Sequence, residues 1–337
     1  MRFTKQRYLS SAALAVVGMT CATLAFAQGP RTKEEQDAGK IQVGVSYQHD
    51  VSLPLYITAT NWREHNMEEA SEEAAENPAW GFPKHHVDSL DPVVQHLMSP
   101  SPSAPMPGTI LNFDGQPNGC GCAPPDTDGE VGATQYVQMT NGGVQVFNKA
   151  TGASVLGPVS TASFWAGFGG VCENNGHGDP VVLYDQLAQR WLISQFASAT
   201  SNITDQCIAI STTSDATGTY NRYGFHLGSN FYDYPHLGVW PDGYYMSMNV
   251  FNAAGTAYLG PQPYAFNRAA MIAGTPVATF LSTAAPLGAA FAPFLPADLD
   301  GSNPPPAGAP NPFVMFPDTG NYDMYRFHVD FTRGGGT

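Results

Sequence analysis

The stretch from Gly178 to Phe196 constrains the fold more than any other. Gly178-Asp179-Pro180-Val181-Val182-Leu183-Tyr184-Asp185 and Arg190-Trp191-Leu192-Ile193-Ser194-Gln195-Phe196 are rich in β-branched and aromatic residues, and Gln186-Leu187-Ala188-Gln189 separates them. Two such runs joined by a short turn predict a β-hairpin. Pro180 is expected at the start of its strand, because proline donates no hydrogen bond to a ladder.

Looser copies of this unit recur. Asp233-Tyr234-Pro235-His236-Leu237-Gly238-Val239-Trp240 sets Pro235 55 residues after Pro180; a turn at Pro241-Asp242-Gly243 and an aromatic run, Tyr244 to Phe251, follow. Upstream, Tyr136 to Thr140 and Val144 to Phe147 flank Asn141-Gly142-Gly143, a strong hairpin signal. Downstream, Phe313 to Phe316 and Met324 to Phe331 form a weaker pair after Asp298-Leu299-Asp300-Gly301 and a proline-rich loop. An aspartate opening one strand, Tyr-Asp closing it and an aromatic strand returning is the kind of unit that β-propeller blades repeat. The expectation is an all-β, β-propeller-like array of antiparallel four-stranded blades over residues 109–337. It would begin with a strand at Ile110 to Phe113, carry a single helical turn at Ala269 to Ala273, and break off mid-pattern as a fragment of a longer propeller.

Arg2, Lys5 and Arg7 precede an apolar run from Leu9 to Phe26 and a small-x-small site at Ala25-Phe26-Ala27. This is the layout of a cleaved export signal over residues 1–27, since Thr20, Cys21 and Thr23 interrupt the run too soon for a membrane anchor. The protein is therefore expected to be secreted, extracellular or periplasmic, with no membrane span after cleavage. Residues 28–108 read as a flexible leader, acidic around Glu68 to Glu76 and proline-rich from Pro100 to Pro107. Loss of the signal deepens the net charge from −14 to −17. So acidic a surface disfavours nucleic acid and anionic membrane, and leaves neutral or cationic partners and metal ions.

Cys120, Cys122, Cys172 and Cys207 remain after cleavage. In an oxidising compartment an even number suggests disulfides. Cys172 and Cys207 flank the hairpin and are expected to pair. Cys120 and Cys122 would pair with each other or stay reduced, and no second close Cys or His pair accompanies them to complete a zinc site.

The segments Pro125 to Gly132, Gly178 to Trp191, Asp233 to Met246 and Asp298 to Pro312 with Phe327-His328-Val329-Asp330 resemble a group of secreted, functionally uncharacterised bacterial β-propeller-like proteins. The resemblance implies the fold, export and further sequence beyond Phe331. It implies no activity and no catalytic residues.

Two sets of residues are candidates for chemistry. Asp126, Asp128 and Glu130, with Asp298 and Asp300, alternate oxygen-bearing side chains around glycines. Such flexible loops suit calcium, which takes six to eight oxygens; the alternative is that they are Asx-turns opening strands. His177, Asp179, Asp233 and His236 lie near the starts of successive inner strands, where a propeller's loops converge on an axis. They are weak candidates for an acid/base cluster, against a structural role at strand starts. Serine-hydrolase, zinc-helix, phosphate-loop and dinucleotide motifs are absent from the sequence. The expected function is a secreted binding or scaffold protein presenting Phe164-Trp165, Phe231-Tyr232 and Tyr244-Tyr245 to carbohydrate or protein. The alternative is a hydrolase or lyase with an acidic and histidine axial site, assisted by calcium.

Overall fold

The computed structural model describes residues 6–7, 41–59, 108–118, 123–200, 202–301, 303–316 and 322–331. The organising hairpin forms as the sequence requires, with β8 (Gly176–Asp185) antiparallel to β9 (Arg190–Ala197) and Asp185 paired with Arg190 across the turn. Pro180, however, lies inside β8, where the register shifts between Gly178 and Val181. Pro235 sits at the matching shift in β12 (Phe231–Trp240), between Asp233 and His236. A bulge leaves a residue out of the ladder, so a proline there removes no hydrogen bond.

Four antiparallel sheets follow in chain order. The first contains β4 (Asp128–Val131), β5 (Gln135–Thr140), β6 (Gly143–Asn148) and β7 (Ser154–Ser160). The second contains β8, β9, β10 (Asp205–Ser211) and β11 (Tyr220–His226); the third contains β12, β13 (Gly243–Phe251), β14 (Tyr258–Phe266) and β15 (Thr279–Thr283). The fourth is built from β16 (Leu295–Pro296), β17 (Asn311–Met315) and β18 (Asp323–Phe327), with β1 (Gln6–Arg7) along β18. The expected helical turn is present at Arg268–Ile272, capped by the Asn267 side chain, which accepts from the Ala270 N–H.

The sheets stack face to face through three apolar layers. Val137, Met139, Val144 and Val146 of the first sheet pack with Val182, Tyr184, Trp191 and Ile193 of the second. The second sheet's opposite face, Leu192, Ile208, Ile210 and Phe225, meets Val239, Tyr244, Met246 and Phe266 of the third. The third sheet's far face, Tyr245, Ala265 and Leu281, meets Phe313, Met315, Tyr325 and Phe327 of the fourth. β9 and β10 are buried on both faces, every residue of β10 and all of β9 but Arg190, and neither strand alternates buried with exposed positions. Trp191 is fully buried; its ring packs 4.8 Å from that of Tyr184 and its indole N–H donates to the Ser214 carbonyl. Gly132 lies against it so closely that a Cβ there would sit 2.6 Å from the indole.

Two expectations need correction. Residues 41–59, placed in a flexible leader, contain β2 (Ile41–Val45) and β3 (Gln48–Val51). β2 adds a fifth, outermost strand to the third sheet beside β15, and β3 does the same for the second sheet beside β11. Their β-branched residues gain ladder partners that a reading of local composition does not supply. Ile110 to Phe113, expected as a strand, is irregular, and Phe113 packs its ring against Tyr136 and Phe147. The remainder of the leader, residues 8–27 of the expected export signal, and Cys120 and Cys122 lie outside the described residues.

Cys172, in the short helix Gly170–Asn174 before β8, is joined to Cys207 on β10 by the expected disulfide. Arg222 on β11 ties the N-terminal segment down with a bidentate pair to Asp50, while donating to the carbonyls of Phe164 and Ala166.

Candidate functional site

The first strands β4, β8 and β12 neighbour one another in succession, and β12 also lies against β16. The residues just before or within these strands are therefore brought to one place. Asn141, in the β5–β6 turn, is completely buried; its amide NH2 donates to Asp126 and its carbonyl oxygen accepts the Asp179 N–H at 3.0 Å. Asp126 in turn acts electrostatically on Asp233. Asp126, Asp179 and Asp233 thus belong to one end of the three adjacent strands.

The backbone at this end is unusual. Asp126 and Asp179 have φ of 42° and Tyr234 has φ of 56°. Each immediately precedes Thr127, Pro180 or Pro235, so the three occupy equivalent places in successive sheets. A side-chain-bearing residue in the left-handed region costs on the order of 1 kcal/mol, and such residues gather where a fixed geometry serves a site. Here the conformation turns the Tyr234 ring outward, leaving that residue 48 % exposed beside Asp233.

Burial pushes the Asp233 carboxyl up to about 6; the Asp126 charge adds to the rise, while the Tyr234 N–H, which donates to Asp233 Oδ1, opposes it. His236 is held below the ordinary histidine range by burial, and its ring meets Tyr234 edge-on at 4.2 Å. His177 is turned elsewhere, with Nε2 donating to the Ser198 carbonyl at 3.1 Å. The sequence candidates therefore separate: Asp179 and Asp233 share a mouth with His236 near it, whereas His177 is engaged with its own hairpin. Sequence reasoning missed Asn141 and Tyr234. The first was read only as turn chemistry, and the second shows its role only through a backbone angle.

The acidic residues proposed as metal ligands also divide. Asp128 Oδ2 accepts the Val182 N–H of β8 at 2.8 Å, and Asp298 Oδ1 accepts the Val239 N–H of β12 at 2.7 Å. Each carboxylate thereby bridges neighbouring sheets. Glu130, four residues on from Asp126 and within β4, lies beside Asp298 and Asp300. One ligand atom from each of these three lies within 4.8 Å of the others. Burial raises the Glu130 carboxyl above the usual range, and the charges of Asp300, Asp298 and Asp128 raise it further, against the Val131 N–H. Burial also raises Asp298, opposed by the Val239 N–H.

The aromatic pairs expected to form a recognition platform are mostly core. Phe164, Trp165, Tyr232, Tyr244 and Tyr245 are all 4 % exposed or less. Their rings fill the space between sheets, where area burial outweighs display.

The fold and this mouth define an all-β protein of stacked antiparallel sheets with a polar cluster where its first strands begin. Comparison with family models, with curated proteins and with solved structures gave no match. Among the described residues no helix is long and apolar enough to cross a membrane.

Proposed function

We propose that the chain is an exported β-propeller-like binding protein whose ligand site is the mouth formed by Asp126, Asn141, Asp179, Asp233 and Tyr234, and that its ligand is a carbohydrate. The arrangement of sheets supports the propeller reading. They stack in chain order through their faces, their first strands are neighbours, and Asp298 and Asp300 of the fourth return to Glu130 of the first. The observation that carries the binding reading is the exposed Tyr234, held in the left-handed region beside Asp233 and flanked by Asp126 and Asp179. An exposed aromatic face supplies apolar contact to a sugar ring, while carboxylates and backbone groups around it accept and donate hydrogen bonds to hydroxyls. The apolar run and small-x-small site at Ala25-Phe26-Ala27 support export, and the group resemblance of the strand-start motifs agrees with both readings.

A glycan array followed by calorimetry tests this. Binding of one or more neutral oligosaccharides is expected, and Tyr234→Ala should weaken it about tenfold or more, because loss of a central aromatic contact costs above about 1 kcal/mol. Its melting curve should change little, since the ring is half exposed. Absence of glycan binding by the native protein, or binding indifferent to Tyr234→Ala, overturns the proposal.

The raised Asp233 carboxyl favours a second reading, in which the same mouth cleaves the glycan it binds. A carboxylic acid still protonated near pH 6 is suited to donate a proton to a leaving group. Product analysis of the bound oligosaccharide distinguishes the two: cleavage abolished by Asp233→Asn supports the hydrolase or lyase, and an intact ligand supports the binding protein.

A further inference from the structure

The N-terminal segment that carries β2 and β3 has a surface unlike the rest of the chain. β2 is the last strand of its sheet, paired with β15 on one side and with no other strand among the described residues on the other. Val43 and Val45, on one face of β2, are 47 and 53 % exposed, and Val277, next to the Ala278 carbonyl that accepts the Ser46 N–H, is 54 % exposed.

Soluble proteins ordinarily blunt a bare sheet edge with lysine, proline or an inward charge, because its unpaired N–H and C=O groups are a template for another strand. β2 itself, Ile41–Val45, contains none of these, and Lys40 precedes it in the sequence. From Ile41 to Ala59 the sole charged residue is Asp50, and Arg222 neutralises it. The chain as a whole carries a formal charge of −14. Two copies therefore repel one another over most of their surface, and this uncharged strip is where they can approach without that cost. The edge geometry fixes the partner further. A strand lying antiparallel to its own copy satisfies two-fold symmetry, so one patch serves both subunits.

We infer that β2 is a self-association surface, pairing antiparallel with β2 of a second copy so that the two third sheets join edge to edge, with Val43 and Val45 covering the join. The pairing supplies hydrogen-bond partners to the outer backbone groups of β2 and removes the exposed valines from water.

Light scattering coupled to size exclusion, at about 100 µM protein because dimers dissociate on dilution, reads the outcome directly. The native chain is expected at twice its monomer mass. Val43→Lys places like charges across the join and should raise the dissociation constant about tenfold or more. Circular dichroism and thermal melting establish that the variant remains folded; if it does not, Val45→Thr provides a milder version, with partial dissociation expected. Leu187→Lys, at an exposed apolar position in the β8–β9 turn, is the control and should leave the dimer intact. A native chain that is monomeric under these conditions overturns the inference. So does a dimer indifferent to the β2 substitutions, or one equally sensitive to Leu187→Lys.

Discussion

Asp233 is the residue whose titration carries the most consequence. Its folded-state carboxyl titrates near 6, above the value of about 4 for an unfolded aspartate, so the folded state holds the proton more tightly. Stability therefore falls as pH rises from about 4 to 6, where the unfolded chain has released a proton that the folded one still keeps, and the loss is complete above 6. The size of that loss is about 3 kcal/mol at most. Asp233→Asn keeps an oxygen to accept the Tyr234 N–H and removes the charge. The variant should match the native protein near pH 4 and exceed it in melting temperature above pH 6, with the difference opening between those values. Equal curves across the range would mean that Asp233 ionises as freely as an exposed aspartate. The same sign holds for Asp128, Glu130 and Asp298, whose carboxyls burial also raises, while His236, lowered by burial, acts in the opposite direction.

At the scale of the element, the organising hairpin is held to its neighbour by its last residue. Asp185, fully buried at the end of β8, accepts from Arg268 through both carboxylate oxygens at 2.6 and 2.9 Å, from the Tyr244 hydroxyl at 2.9 Å and from the Ala188 N–H. Tyr244 and Arg268 belong to the third sheet and its helical turn, so one carboxylate joins two sheets and also closes its own hairpin turn. Arg268→Met retains the side chain's apolar length and strands a buried carboxylate, which should cost about 3–5 kcal/mol in urea unfolding at unchanged m-value. A loss below about 1 kcal/mol would show that water reaches Asp185 and that the pair behaves as a surface ion pair. The Tyr-Asp at the end of the first strand was visible in the sequence as a repeat feature. That its carboxylate serves the next sheet was not, because Arg268 lies 83 residues away.

For the whole molecule, the cluster of Glu130 on β4 with Asp298 and Asp300 in the loop after β16 is the contact that differs in kind. The three junctions between successive sheets are apolar layers, whereas Glu130, Asp298 and Asp300 bring like charges together. A divalent cation at these oxygens would turn repulsion into a bridge between β4 and the loop after β16. If calcium binds there, millimolar calcium should raise the melting temperature, since a ligand held by the native state alone stabilises it by mass action. Glu130→Gln should reduce that rise while improving stability without calcium. An unchanged melting curve leaves the three carboxylates as strand-start acceptors with no cation role.

The sequence by itself carries the central hairpins, β5–β6, β8–β9, β12–β13 and β17–β18, and the Cys172–Cys207 pairing. These rest on local patterns: β-branched and aromatic runs, Asn-Gly and Pro-Asp-Gly turns, and two cysteines flanking one hairpin. Tertiary structure alone decided what the polar residues do, because a carboxylate's role depends on what faces it across a gap between sheets. Asp126, Asp128 and Glu130 are spaced alike along two turns of pleat, yet one is bound by Asn141, one bridges to Val182 and one meets Asp298 and Asp300. The aromatics divide for the same reason: Tyr232 and Tyr234 are two residues apart, and the bulge at Pro235 leaves the first buried and the second in solvent. β2 and β3 formed only because the outer edges of β15 and β11 were there to receive them; their own short runs, without those edges, do not bury enough surface to offset the entropy of ordering.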